Sequence, residues 1–343
     1  MKIGFDVSPL CRPHPPGVVR ATRGLVDALE RRGRVEVVRL APPPRASLLA
    51  WRQSTLSRAP RELGLDGLHS PVSAFAVRGR GARVATIHEM PWVRGASENA
   101  DARHRLWAAL GPVRADAIVC PSESTAADVR DGSPLARHKV RVCPWGVDAR
   151  FVPPSADERR DVDDRAVLVR FDLADAPYVL VAGGGREKKN VRASIAGLEC
   201  AARDLTLVIT GPITPELARE LARASRAVRV RLVGTVSDDE LVALTRRAIA
   251  SLVLSTSEGF GFPVIEAQAC GTPVIVPQAG AQAEIAGGAA LTVDPRDPFE
   301  VAAAILRARR ERDAVARAGL ANAAVYTWDR CAEAVERAWE SLS

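Results

Sequence analysis

Glu258 and Glu266 lie on either side of Gly259-Phe260-Gly261 and Pro263, and an earlier loop, Gly183-Gly184-Gly185-Arg186-Glu187-Lys188-Lys189-Asn190, sets three glycines beside three cations. Such residues suit an anionic ligand. A glycine turn leading into a helix leaves backbone N–H groups unpaired at the positive end of the helix dipole, where a phosphate binds well. Cations beside a glycine-rich loop extend that cradle. The chain holds only four lysines, Lys2, Lys139, Lys188 and Lys189, among 48 basic residues, so an adjacent pair in this loop points to a role for it. Glu258 stands between an apolar run and two glycines, with no helix to cap and no basic neighbour in sequence, which predicts a ligand contact. Glu266 admits two readings, a ligand contact or an ordinary charge near a helix N-terminus.

Those residues need strands and helices to carry them. Residues 248–254 read as a buried parallel strand, Pro263 as the first residue of a helix to about Cys270, Gly271 as its stop, and residues 273–276 as the next strand. Residues 178–182 form another buried strand, ending at the three glycines. The chain opens in the same order: a strand at 2–7, a proline-rich loop at 12–17, and apolar side chains at helical spacing over 18–31. That is the opening of a doubly wound α/β domain. His88 follows the apolar run Val84-Ala85-Thr86-Ile87, at the carboxyl edge where open α/β sheets bind ligands; taken alone, it also reads as a structural histidine. A helix over 104–114, a strand at 117–120, strands at 205–210 and 228–233 and a helix over 215–226 continue the alternation. Ser237-Asp238-Asp239-Glu240 reads as a capping box for a helix reaching Arg247. The charged run 157–165 reads as a linker, and the D-x-D spacing of Asp161 and Asp163 as part of its solvated charge.

With 343 residues and 47% hydrophobic content, the chain can build two domains with separate cores. No apolar run approaches the roughly 20 residues of a membrane-spanning helix. The start, Met1-Lys2-Ile3-Gly4-Phe5, enters a strand pattern with no leader-peptide pattern, so a cytoplasmic location is expected. The six cysteines are scattered, without a C-x-x-C pair, and read as reduced thiols. Charge is uneven: residues 1–150 hold 24 basic and 14 acidic residues, residues 151–343 hold 24 and 27. A basic first half suits an anionic acceptor or peripheral contact with an anionic membrane; a solvated arginine-rich surface is the plainer reading. Aromatic residues make up only 4%, and no recognition motif is present, which argues against nucleic acid as a partner.

The stretch 255–284, S-T-S-E-G-F-G-F-P-V-I-E-A-Q-A-C-G-T-P-V-I-V-P-Q-A-G-A-Q-A-E, resembles the signature of retaining GT-B glycosyltransferases of the GT4 family (glycosyl transferases group 1), in which seven residues separate two glutamates. The similarity runs on through Gly287-Gly288-Ala289-Ala290-Leu291-Thr292-Val293-Asp294-Pro295. The R-E-K-K-N loop is most similar to bacterial mannosyltransferase-like members with a Lys-Asn phosphate loop. The resemblance implies a GT-B fold, with two Rossmann-like doubly wound domains facing across a cleft. Residues 1–155 would form the N-terminal acceptor-side domain, 156–176 the linker and 177–325 the nucleotide-sugar-binding domain. Residues 326–343 would form a terminal helix packing back on the first domain.

The same resemblance implies the site. Glu258, with Gly259, Phe260 and Gly261, holds the donor hexose, Glu266 takes the ribose hydroxyls, and Val264 is among the donor contacts. Lys189 meets the diphosphate, while Gly234, Thr235 and Val236 flank the base. Gly17 approaches the diphosphate from the first domain, and His88 touches the sugar. The chain departs from the family pattern in three places. One glycine, Gly17, stands where two are usual, and His88-Glu89 replaces a His-Asp pair. Gly184 stands where many members have Arg, so Arg186 or Lys188 must supply the second charge.

The implied reaction moves a hexose, with retention, from a nucleotide-diphosphate sugar to a hydroxyl of a glycan, glycolipid or other acceptor. GDP-mannose is favoured over a UDP-sugar as donor. Glu258, His88 and Lys189 carry the catalytic roles, the nucleotide sugar is a co-substrate, and no cofactor or metal is expected. Two other readings stay open: a sugar-nucleotide epimerase of the same fold, and a degenerate GT-B protein that binds a nucleotide sugar without turnover.

Overall fold

The computed structural model describes residues 1–95, 102–154, 158–174, 176–202, 204–223 and 228–342. The chain divides into two compact units, Met1–Gly146 with Tyr326–Ser343, and Val147–Val325. Each is built on a six-stranded sheet. In the first unit the strands are β1 (Lys2–Asp6), β2 (Glu36–Leu40), β3 (Gly67–Ser70), β4 (Ala82–Thr86), β5 (Ala117–Cys120) and β6 (Val140–Val142), in the order β2-β1-β3-β4-β5-β6. In the second they are β7 (Tyr178–Val181), β8 (Thr206–Thr210), β9 (Arg229–Gly234), β10 (Ala250–Leu252), β11 (Val274–Pro277) and β12 (Leu291–Val293), in the order β12-β11-β10-β7-β8-β9. Every pairing is parallel. Both units are therefore doubly wound, Rossmann-like domains, and strand order reverses between β1 and β3 and between β7 and β10.

Strands such as β5, β7 and β8 are buried along their whole length, as strands covered by helices on both faces are, whereas β2 and β9 at the sheet edges are partly exposed. All four residues of β7 are buried, and successive side chains point to opposite faces. Val179 and Val181 join Leu207, Ile209, Leu252, Val301 and Ile305 in one core, while Tyr178 and Leu180 join Val208, Leu244 and Leu168 in another. The expected helix starts are present. Ser237 Oγ accepts from Glu240 N–H at 3.2 Å, and the Glu240 carboxylate accepts from Ser237 N–H at 2.8 Å, completing the capping box. No helix among the described residues is long and apolar enough to cross a membrane.

The terminal helix Trp328–Glu340 completes the first unit. Arg32 forks onto Glu336 with three contacts of 2.9–3.1 Å, and the Trp328 ring lies where a Cβ on Gly24 would fall, at 2.2 Å. Trp339 Nε1 donates to Nδ1 of His69 at 3.4 Å, and His69 Nε2 meets Thr86 Oγ1 at 3.2 Å while its ring stacks on Phe5. Complete burial holds that histidine neutral, with its pKa pushed down to about 3.

Several elements differ from the sequence reading. The first long helix is Pro16–Arg32, so Gly17 lies in its first turn and not in the preceding loop; Pro16, with its preset φ and no N–H to satisfy, starts it. Within the span read as a linker, Glu158–Arg170 is a helix of the second unit. It forms because one side of the charged run faces inward: Asp164, 4% exposed, is bonded by Arg246 at 2.7 Å and Arg247 at 3.3 Å. Asp163 is exposed, whereas residues 155–157 and the side chain of Asp161 lie outside the described residues. The helix read over 215–226 is Pro215–Arg223, with 224–227 outside the described residues. The strand read over 248–254 is confined to β10, although Val253 N–H still donates to Ile275 at 2.9 Å.

Candidate active site

The carboxyl ends of β7 and β10 lie side by side where the second sheet reverses, the place at which open α/β sheets bind ligands. One end leads into Gly183–Asn190 and the other into Ser255–Gly261. The glycines of the first loop are demanded by close packing. A Cβ on Gly184 would fall 2.3 Å from Ile209 Cγ2, and one on Gly185 would fall 2.0 Å from the Pro212 carbonyl. Gly183 N–H donates to Thr210 Oγ1 at 3.1 Å and Gly184 N–H to the Thr210 carbonyl at 2.8 Å. These two amides are thus engaged by β8, which corrects the reading of the whole glycine run as an anion cradle. A short 3-10 turn, Glu187–Lys189, then leads through Asn190, at φ 51°, into the helix Val191–Ala201. It turns the two lysines inward and leaves Arg186 exposed.

Glu258 has no basic neighbour in sequence, but the fold supplies two. Lys189 Nζ donates to its Oε1 at 2.7 Å, and Lys188 Nζ lies 3.7 Å from its Oε2. The Ser255 hydroxyl donates to Oε1 at 2.9 Å. Burial alone raises the Glu258 pKa; Lys189, then Lys188, and the hydrogen bonds from Lys189 and Ser255 outweigh it and hold the carboxyl at about 2. Glu258 is therefore ionised at neutral pH, with both lysine ammonium groups facing it. Gly184 has no room for a side chain, and Lys188 is the second cation beside Glu258.

Gly259, Phe260 and Gly261 are buried in the turn after Glu258, and Gly261 takes the left-handed φ of 93°. The helix that follows is Phe262–Ala269, one residue earlier than the proline suggests. Its first turn holds no acidic residue. Glu266 lies further along and is 3% exposed, so the capping reading does not hold for it. Val264, on the same helix, is fully buried. Gly234 ends β9 at φ 70°, and its carbonyl accepts from Gly211 N–H at 2.7 Å; Thr235 is exposed and Val236 half-buried.

His88 and Gly17 belong to the first unit. His88 follows β4, is half-buried, and meets the Pro71 carbonyl through Nε2 at 2.8 Å. A carbonyl only accepts, so Nε2 carries the proton. Gly17 is exposed. At the end of β1 sits a buried network with no sequence signal: Arg52 Nε donates to Asp6 at 2.9 Å, its Nη2 to Ser8 Oγ at 2.8 Å, and Ser8 N–H to Asp6 at 2.8 Å. Sequence reading also misses Ser255 and Gln282. The first is signalled only by a hydroxyl three positions before Glu258.

Residues 4–151 match the family described as Glycosyltransferase Family 4, and residues 176–311 match Glycosyl transferases group 1. The chain belongs to the GT4-type glycosyltransferases. Glu258, Glu266 and the lysine loop fall within the second match, and Gly17 and His88 within the first. Among curated relatives, this GT4-type chain is 29% identical over 186 residues to the O-antigen chain mannosyltransferase B of Escherichia coli, covering 51% of this chain and 49% of that protein. It is 32% identical over 245 residues to the D-inositol 3-phosphate glycosyltransferase of Salinispora tropica, covering 63% and 49%. The chain spans about half the length of these relatives. Among solved structures, Anabaena HepE in complex with UDP-glucose superposes with a TM-score of 0.79 at 17% identity, covering 99% of this chain and 100% of that one. That likeness, with the two parallel sheets, identifies the fold as two-domain GT-B.

Proposed function

We propose that this GT4-type chain transfers a hexose, with retention, from a nucleotide-diphosphate sugar to a hydroxyl of a glycan or glycolipid. The observation that carries this reading is the Lys188–Lys189–Glu258 cluster at the strand reversal of the second unit. As the sugar–phosphate bond breaks, negative charge grows on the departing diphosphate, and two lysines held in place beforehand stabilise it. Glu258, ionised, accepts hydrogen bonds from the hexose and disperses charge at an oxocarbenium-like centre; a carboxyl held at about 2 does not serve as a general acid near neutral pH. The 259–261 turn holds the hexose with Glu258, Glu266 takes the ribose hydroxyls, Val264 is among the donor contacts, and Gly234, Thr235 and Val236 flank the base. His88 contacts the sugar, and Gly17 approaches the diphosphate. No side chain is assigned as a covalent nucleophile.

The R-E-K-K-N loop and the mannosyltransferase among the relatives support GDP-mannose as donor. The surplus of basic residues in 1–150 supports an anionic acceptor or peripheral contact with an anionic membrane from the cytoplasmic side. Incubation with GDP-mannose and UDP-glucose, each with and without extracted glycolipid, tests the reading. Acceptor-dependent release of nucleotide diphosphate, insensitive to EDTA in a single turnover, is expected. Isomerised sugar nucleotide, or binding with no turnover, overturns it.

A further inference from the structure

The two oxygens of Glu258 are held differently. Oε1 accepts from Lys189 at 2.7 Å and from the Ser255 hydroxyl at 2.9 Å, whereas Oε2 faces Lys188 Nζ at 3.7 Å, outside hydrogen-bond distance. Ser255 is 3% exposed and is itself fixed by Gln282, 2% exposed, whose Nε2 donates to the Ser255 carbonyl at 2.7 Å. The amide nitrogen must face that carbonyl, so the orientation of Gln282 is determined. Its side chain runs between two glycines: Gln282 Oε1 lies 3.2 Å from where a Cβ on Gly280 would fall, and Cγ 3.7 Å from one on Gly261. Gln282 belongs to the helix Ala281–Ala286 beyond β11, so a third strand-end element braces the Glu258 turn.

We propose that Ser255 and Gln282 are positioning residues that hold the Glu258 carboxylate with Oε1 engaged and Oε2 presented to the donor, where it accepts from a hexose hydroxyl; this rests on the function proposed above. A lysine is a flexible stem with three rotatable donors and does not set the rotation of a carboxylate by itself. A buried hydroxyl three residues away on the same turn does. A small misplacement of such a group costs a large factor in rate, on the order of a hundredfold for 1 Å.

The test is a variant series, each member checked for thermal stability. Ser255→Ala should lower kcat about tenfold or more while GDP affinity stays within about twofold. Ser255→Thr, which keeps the hydroxyl, should restore most of the rate, and Gln282→Leu should move kcat in the same direction as Ser255→Ala. Ser255→Ala combined with Glu258→Gln should be no slower than Glu258→Gln alone, because the serine acts through the glutamate. Fully additive losses overturn the proposal, as does a parallel fall in GDP affinity, kcat and melting temperature. A second readout needs no turnover. In protein labelled with carboxyl-¹³C glutamate, with the Glu258 resonance assigned by its loss in Glu258→Gln, Ser255→Ala should raise the titration midpoint of Glu258. If wild type neither binds nor turns over GDP-mannose or UDP-glucose, the proposed function fails, and the carboxyl titration still decides the positioning role: an unmoved midpoint overturns it.

Discussion

Lys189 and Glu258 are one ion pair with two proposed tasks, and their variants should separate those tasks. Lys189→Ala should lower kcat by about a hundredfold or more, since a preorganised charge on a developing anion contributes ~2.7–4 kcal/mol. GDP binding should weaken with it, measured by calorimetry, and wild-type turnover would remove the lysine from the mechanism. Glu258→Gln should depress kcat with a modest change in donor affinity, because the hexose changes bonding in the transition state. Glu266→Gln should raise donor KM and weaken GDP alone, because the ribose does not react. The opposite split would reverse the donor's orientation. Glu258 also has a pH signature. Its folded-state pKa, about 2, lies below the ordinary value of 4.5, so the stability it contributes is fully present above pH 4.5 and is lost as pH falls toward 2. The stability gap between wild type and Glu258→Gln in urea denaturation should shrink over that window and stay constant above it.

Loops at strand ends position these residues, and their glycines are constrained by neighbours more than by turns. A Cβ on Gly185 would sit 2.0 Å from a backbone oxygen, so the loop carrying both lysines must move to admit it. Gly185→Ala should therefore lower the melting temperature by about 4 °C or more, roughly 2 kcal/mol, and weaken GDP binding as well. Gly184→Arg should destabilise this chain and add no nucleotide affinity, because Ile209 fills the space. Gly234→Ala is the control: its φ is 70° but no atom lies within 4 Å of the added carbon, so only modest backbone strain is expected.

The whole molecule consists of two doubly wound domains, and the first is closed by residues far away in sequence. Trp328, Glu336 and Trp339 pack on Gly24, Arg32 and His69, and the Arg32–Glu336 pair is largely buried. Removing 326–343 should strip that face and leave His69 without its Trp339 donor. Calorimetry should then show unfolding displaced to lower temperature, and an unmoved transition would contradict this role of the terminal helix.

Local physics made much of this legible. Apolar runs mark β7, where the run ends at glycine, and β10, where it ends at Ser255, and serine followed by acidic residues marks the helix that starts at Asp238, because burial on both sheet faces and unpaired helix-end amides select those residue types wherever they occur. Glu258 and the lysine loop were likewise readable as places of interest. Their partnership was not: Lys189 and Glu258 are 69 positions apart, and only the reversal of strand order between β7 and β10 makes their loops neighbours. Gly17 lies in a helix for a local reason, the start set by Pro16, but 158–170 became a packed helix around Asp164 through long-range contacts. A charge patterned like solvent-exposed sequence turns inward when the fold brings two arginines to meet it. Residue type and local order thus follow from the chain itself, whereas which charges neutralise one another, and which oxygen of Glu258 is left for a ligand, depends on long-range contacts that sequence spacing does not encode.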